Sequence, residues 1–128
     1  MNFQVPAGVP MGPFGFVPLS VGGGKCTWEY TVDPAHFNIH GTLHGGMLMA
    51  LLDTAMGHAV TDLVAPAGRF NAAAQFNINF FEPIKGGIVR ATAEVRKMGK
   101  RLAVVEAQAT DETGRLLGTA TATHTLLP

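Results

Sequence analysis

From Lys25 onward the chain is built on two rhythms. In "QFNINFFEP", Phe76, Ile78 and Phe80 point one way while Asn77, Asn79 and Phe81 point the other. In "GIVRATAEVRKMG", Val89, Ala91, Ala93 and Val95 form an inward set against Arg90, Thr92, Glu94 and Arg96. Such period-two alternation is the signature of strands with one face buried. "KCTWEYTV" alternates in the same way, and the glycine-containing turns "MGKR" and "ETGR" precede two more strands, "LAVVEAQATD" and "LLGTATATHTLL". The other rhythm is a long apolar run, "NIHGTLHGGMLMALLDTAMGHAV", residues 38–60. It predicts a helix from about His44 or Gly45 to about Val64, stopped by Pro66 and Gly68 in "APAG". "DPAHFNIHGT" before it reads as a loop punctuated by Pro34, Asn38 and Gly41. Residues 1–24, rich in proline and glycine, read as a mostly irregular N-terminal segment, with "PFGFVPL" packing onto the body. The order is then strand, long helix and four strands. This is an α+β domain spanning 1–128, an antiparallel sheet with one face covered by a single helix.

Composition narrows the function. The 128 residues suffice for a core without disulfides. With 47% hydrophobic and only 14% charged residues, the composition is that of a folded chain with apolar surface for other subunits to cover. A formal net charge of +0 argues against a nucleic-acid partner bound by phosphate neutralisation. The lone cysteine, Cys26, cannot form an internal disulfide, which fits a reducing cytoplasm, and its alternating strand makes it a packed thiol rather than a nucleophile. The N-terminal residues lack the basic start and clean apolar core of a signal peptide. The helix is long enough to cross a bilayer, but Asp53 near its centre and Asp62 near its end are expensive in hydrocarbon. A helix apolar nearly all round is expected to be buried within protein, with a curled sheet wrapped around it.

Asp53 is then the anomaly. Its helical neighbours Met49, Ala50, Met56 and Gly57 cannot pair with it. Two readings stand: a carboxylate bonded to backbone across the fold, or one held in an apolar cleft as general base or nucleophile. The helix start carries complementary chemistry. "HGG" places His44, Gly45 and Gly46 where free N–H groups and the positive dipole end converge, and glycine admits a substrate carbonyl to them. Asn38 in the preceding loop adds an amide. Eight residues of helix rise roughly 12 Å, so Gly45 and Asp53 of one chain cannot jointly grip one small carbonyl. Either the substrate is long or the acid comes from a second subunit. His36, His40 and His44 are spaced by four, but Pro34, Asn38 and Gly41 break any shared helix, so neither a metal nor another cofactor is expected. His58 and His124 read as packing or surface residues.

The pattern N-x5-HGG-x6-LLDTAMGHA resembles the hotdog-fold acyl-CoA thioesterases of the phenylacetic-acid-pathway (PaaI) type. The likeness continues through "FNINFFEPIKGG", "ATAEVRKMGKR" and "DETGRLLGTATAT", over roughly residues 25–127. It implies a hotdog fold, a long central helix wrapped by an antiparallel β-sheet. It further implies dimers with a shared sheet, usually paired into tetramers, and hydrolysis of a coenzyme A thioester at the dimer interface. By motif, Asp53 would be the catalytic carboxylate and Gly45 the backbone donor to the carbonyl. Asn38 and His44 would position the thioester, Asn38 and Gly45 coming from the chain opposite Asp53. Gly46 would line the substrate, and Arg96, Lys97, Lys100 and Arg101 in "RKMGKR" would meet the phosphates of coenzyme A. One departure stands out. Relatives often carry Ser or Thr on the strand after the helix to orient water, whereas this chain has Ala72, Ala73 and Ala74, with only Asn71 and Gln75 polar nearby. A hotdog dehydratase or hydratase, and an acyl-CoA-binding module without turnover, are the competing functions.

Overall fold

The computed structural model describes residues 7–128. The first six residues of the N-terminal segment lie outside it. Two strands, β1 (Val17–Gly22) and β2 (Lys25–Thr31), precede a short 3₁₀ turn at Pro34–His36 and the helix α1 (Gly45–Val64). Four strands follow: β3 (Phe70–Phe80), β4 (Ile88–Met98), β5 (Leu102–Asp111) and β6 (Leu116–Leu127). They form one six-stranded sheet in the order β1-β2-β4-β5-β6-β3, with every neighbouring pair antiparallel.

The strand β1 is where the sequence reading falls short. The glycines that break a helix here make a hairpin instead. Gly23 and Gly24 both have positive φ, 61° and 75°, the geometry a two-residue turn needs when its twist must match the strands. Lys25 then pairs with Gly22, and Val17 reaches Glu29 across a register shift between Pro18 and Ser20. Pro18 is tolerated because β1 lies at the sheet edge, where a missing N–H costs no ladder bond. Asp62, near the end of α1, accepts a hydrogen bond from Gly24 N–H at 3.0 Å and ties this hairpin to the helix.

α1 lies across the sheet. Its buried residues, Leu48, Leu51, Leu52, Ala55, Met56, Ala59, Val60 and Val64, follow helical spacing and form one stripe. Beneath them the sheet offers small side chains, Ala91, Ala93, Ala103, Ala107, Ala109, Ala120 and Ala122, all buried. Alanine at these inward positions lets the helix axis approach, while Trp28, Tyr30 and Phe16 fill the space beside it. The sheet covers one side only, and the opposite face, with Met49 41% accessible and Asp53 exposed, is open in the single chain.

Candidate functional site

The loop before α1 is held by side chains rather than by regular structure. The buried Tyr30 hydroxyl accepts from Asp33 N–H at 3.1 Å and is hydrogen-bonded to His36 Nδ1 at 2.5 Å. Burial raises the Tyr30 pKa and keeps the hydroxyl protonated. The His36 carbonyl in turn accepts His44 N–H at 3.0 Å, and Leu43 N–H donates to the Ile84 carbonyl at 2.7 Å. Asn38 organises the segment between. Its Oδ1 accepts from His40 N–H (2.9 Å) and Thr42 N–H (3.3 Å), while Nδ2 donates to Thr42 Oγ1 at 2.9 Å. The Asn38 amide is thus a loop brace, with a single Nδ2 proton left over.

His44 is the N-cap of α1. Its Nδ1 accepts the Gly46 N–H at 2.9 Å, and its carbonyl accepts Met47 N–H at 2.9 Å. A β-carbon on Gly46 would stand 3.0 Å from His44 Nδ1, so glycine there admits the capping ring. Gly46 therefore serves the cap and has no free amide to give a substrate. Among the described residues, the Gly45 N–H alone at this helix start has no intramolecular acceptor. It sits beside the half-exposed Phe80, whose ring carbon would be 3.3 Å from a Gly45 β-carbon.

Asp53 lies two turns further on, exposed on the face of α1 that the sheet leaves open. The structure does not place it in an apolar cleft within one chain. No hydrogen bond or ion pair engages its carboxylate among the described residues. It also does not bring Asp53 and Gly45 together, since the helix between them is unbroken from Gly45 to Val64.

Beside the second half of α1 is a polar chain the sequence did not single out. Thr61 Oγ1 donates to the Gly57 carbonyl at 2.8 Å. Asn71 Nδ2 donates to Thr61 Oγ1 at 2.9 Å and to that same carbonyl at 3.4 Å. A carbonyl can only accept, so the Asn71 amide is fixed with Oδ1 outward, 2.8 Å from His124 Nδ1. Nδ1 therefore carries the proton. His124 is 2% accessible, and its Nε2 is buried without a partner. Burial pushes the His124 pKa below its ordinary 6.5, while the nearby Asp53 carboxylate pulls it partly back. The ring is neutral at neutral pH, with a bare lone pair on Nε2. An unmet buried acceptor costs about 1–3 kcal/mol. His124 occupies an inward position of β6, in step with the buried Ala120, Ala122 and Leu126. That alternation was a usable signal in the sequence.

The other histidines play separate parts. His58 Nδ1 lies 2.8 Å from the Thr54 carbonyl and its ring packs on Trp28 at 4.8 Å. His36, His40 and His44 are divided between the Tyr30 bond, an exposed loop position and the helix cap. The basic residues Arg96, Lys97, Lys100 and Arg101 are all exposed at the β4–β5 turn. Arg96 is placed between Glu94 and Glu106, 3.7 Å from each. This turn lies at the end of the sheet where β5 meets Thr125 and His124, opposite the end where Phe80 pairs with Gly118. Gly45 is at that far end, so one chain separates it from the basic turn.

A model of the Thioesterase superfamily matches residues 40–117, from the loop through α1 to the start of β6. The chain belongs to the thioesterase superfamily. It is 35% identical over 101 residues to human acyl-coenzyme A thioesterase 13, covering 77% of this chain and 71% of that protein. To the 1,4-dihydroxy-2-naphthoyl-CoA hydrolase of Listeria monocytogenes it is 31% identical over 99 residues, 77% of this chain and 80% of the relative. The solved structure of the E. coli PaaI protein from the phenylacetic acid degradation operon superposes with a TM-score of 0.83 at 26% identity. The overlap covers 90% of this chain and 81% of that one. The fold of this superfamily member is accordingly the hotdog fold, a central helix on an antiparallel sheet.

Proposed function

We propose that the protein hydrolyses acyl-CoA thioesters at a site shared by two copies of the chain. The observation that carries this reading is the free Asp53 carboxylate on the open face of α1, roughly 12 Å along the helix from the free Gly45 amide. Neither group has a partner among the described residues, and one chain cannot apply both to one carbon. Two α1 helices laid antiparallel, open face to open face, set Asp53 of one copy against Gly45 of the other. Edge strand β3 favours the same pairing: its eleven residues end the sheet, and Phe70, Phe80 and Phe81 stand exposed along and just beyond it. The second copy's Gly45 then approaches the end of the first that carries Asn71, His124 and the basic turn.

In this site the Gly45 amide and the positive end of its helix stabilise the oxyanion that forms on the thioester carbonyl. Asp53 takes a proton from water as the water oxygen bonds to the carbonyl carbon. Collapse breaks the carbon–sulfur bond, and the proton passes to the leaving thiolate, giving free acid and coenzyme A. The remaining Nδ2 proton of Asn38 and the outward Nε2–H of His44 face the incoming thioester, and Lys97, Lys100 and Arg101 attract the phosphates of coenzyme A. A homodimer is the least active unit, with a tetramer of two dimers in solution, and the cytoplasm is the compartment that supplies the substrate.

A thiol-release assay across aryl, short, medium and long acyl-CoA substrates tests the activity. Asp53→Asn tests the assignment: it keeps shape and hydrogen-bonding capacity, yet turnover should fall by about a hundredfold or more while acyl-CoA binding survives. Activity on none of the substrates would favour a binding module, the reading the Ala72–Ala74 run supports. A folded Asp53→Asn protein with most of its activity would remove Asp53 from the chemistry.

A further inference from the structure

The orphaned ring nitrogen of His124 is the feature the proposed chemistry has not used. The bond from Asn71 holds Nδ1 toward the later turns of α1, because Asn71 is itself fixed to Gly57 and Thr61. Nε2 lies on the other edge of the ring, away from Asn71, and Asp53 stands on α1 one turn before Gly57. The Asp53 carboxylate is close enough to act on the ring electrostatically, but no bond joins them. Both groups are acceptors at neutral pH, so neither can satisfy the other. Two acceptors brought together call for a donor with two protons, and water is such a donor. In the sheet register His124 stands directly opposite Ala73, on the same face and in the middle of the alanine run. The strand after the helix thus offers no hydroxyl where the neighbouring strand offers a bare nitrogen.

We propose that His124 is a water-positioning residue of the hydrolytic site, its Nε2 accepting one proton of the attacking water while Asp53 accepts the other. A water held by both protons has its lone pairs turned away from the two acceptors, toward the thioester carbon. The Gly57–Thr61–Asn71 chain sets the tautomer that makes this possible. Nε2 is covered in the single chain, so this role requires the packing around the ring to open when substrate binds. The inference rests on the reading of Asp53 as the base.

Two near-isosteric variants of the full chain separate this role from a structural one. His124→Asn keeps a donor near the Nδ1 position, preserving the bond to Asn71, and loses the acceptor at Nε2. His124→Gln places an acceptor near the Nε2 position and loses the bond to Asn71. With the best acyl-CoA of the panel, kcat should fall roughly tenfold or more in His124→Asn with KM within about twofold, and His124→Gln should keep the larger share of kcat. Adding Ala73→Ser to His124→Asn supplies a hydroxyl from the opposing strand and should recover kcat. The opposite order, with His124→Asn at least as active as His124→Gln and no recovery from the serine, would overturn the inference in favour of a purely structural histidine. Asp53→Asn run alongside distinguishes the failures: if it stays active, the reading of the base is at fault, and if it is inactive, only His124 is. Should neither histidine variant fold, ¹⁵N NMR of the wild-type histidines decides. The inference requires an unprotonated His124 Nε2 that becomes hydrogen-bonded when a non-hydrolysable thioether analogue of acyl-CoA binds. A protonated or unchanged Nε2 would overturn it.

Discussion

If catalysis needs Asp53 from one chain and the Gly45 amide from another, two inactive variants should restore one another. The perturbations can be chosen from the structure. Gly45 is the first residue of α1, where proline is well tolerated because its N–H has no helical acceptor to lose. The residue before it, His44, already has φ −58° and ψ 131°, the extended conformation that a following proline demands. A β-carbon at 45 would press on the Phe80 ring at 3.3 Å, but Phe80 is half exposed and its ring can give way. Gly45→Pro thus removes the donor and keeps the helix, and Gly45→Ala is its control, crowding Phe80 equally while retaining the N–H. Asp53→Asn is the other partner. When equal amounts are co-refolded and pair at random, about half the dimers are mixed. Each mixed dimer holds one site with both lesions and one intact site, so thiol release should return to about a quarter of wild type. Either variant alone should lose about a hundredfold, the scale seen when one oxyanion donor is removed, whereas Gly45→Ala should stay near wild type. Native mass spectrometry establishes the mixed population. Mixed dimers without rescue would refute the shared site, and a fully active Gly45→Pro would refute the role of the amide.

Two further outcomes follow from local geometry. The His44 cap on Gly46 should make His44→Ala about 1 kcal/mol less stable in chemical denaturation, with His44→Asn within a few tenths because asparagine caps as well; equal losses for both, at one protein concentration, would show that the cap contributes nothing. Cys26 is buried beneath Trp28, and burial pushes its pKa from 9.0 to about 11, so at mildly alkaline pH its thiolate is roughly a hundredfold scarcer than an ordinary thiol's. A colourimetric thiol reagent should therefore label native protein at least that much more slowly than unfolded protein, and fast labelling of the native state would contradict the burial.

The parts of this molecule legible from the sequence are those where one residue's neighbours in the chain are also its neighbours in space. The helix from Gly45 to Val64 and the inward set Val89, Ala91 and Ala93 are of this kind, since periodicity alone places them. The cap went unread, although His44 and Gly46 are only two residues apart. Strand β1 was hidden by ambiguous chemistry: glycines that end a helix are also those that fold a hairpin, and only the pairing of Gly22 with Lys25 decides which. The environment of Asp53 was not legible for another reason. An apolar helix says how much surface must be covered, but not whether its own sheet or a second chain covers it. His124 was the hardest to assign, because its meaning depends on Asn71, 53 residues away. Nothing local distinguishes a histidine with a bare Nε2 from one with a bare Nδ1. The distinction is made by the Gly57 carbonyl, which forces the Asn71 amide to turn its oxygen outward and so fixes the proton on the far strand. A backbone acceptor on α1 thus sets the chemistry of a side chain on β6, through one amide at the start of β3.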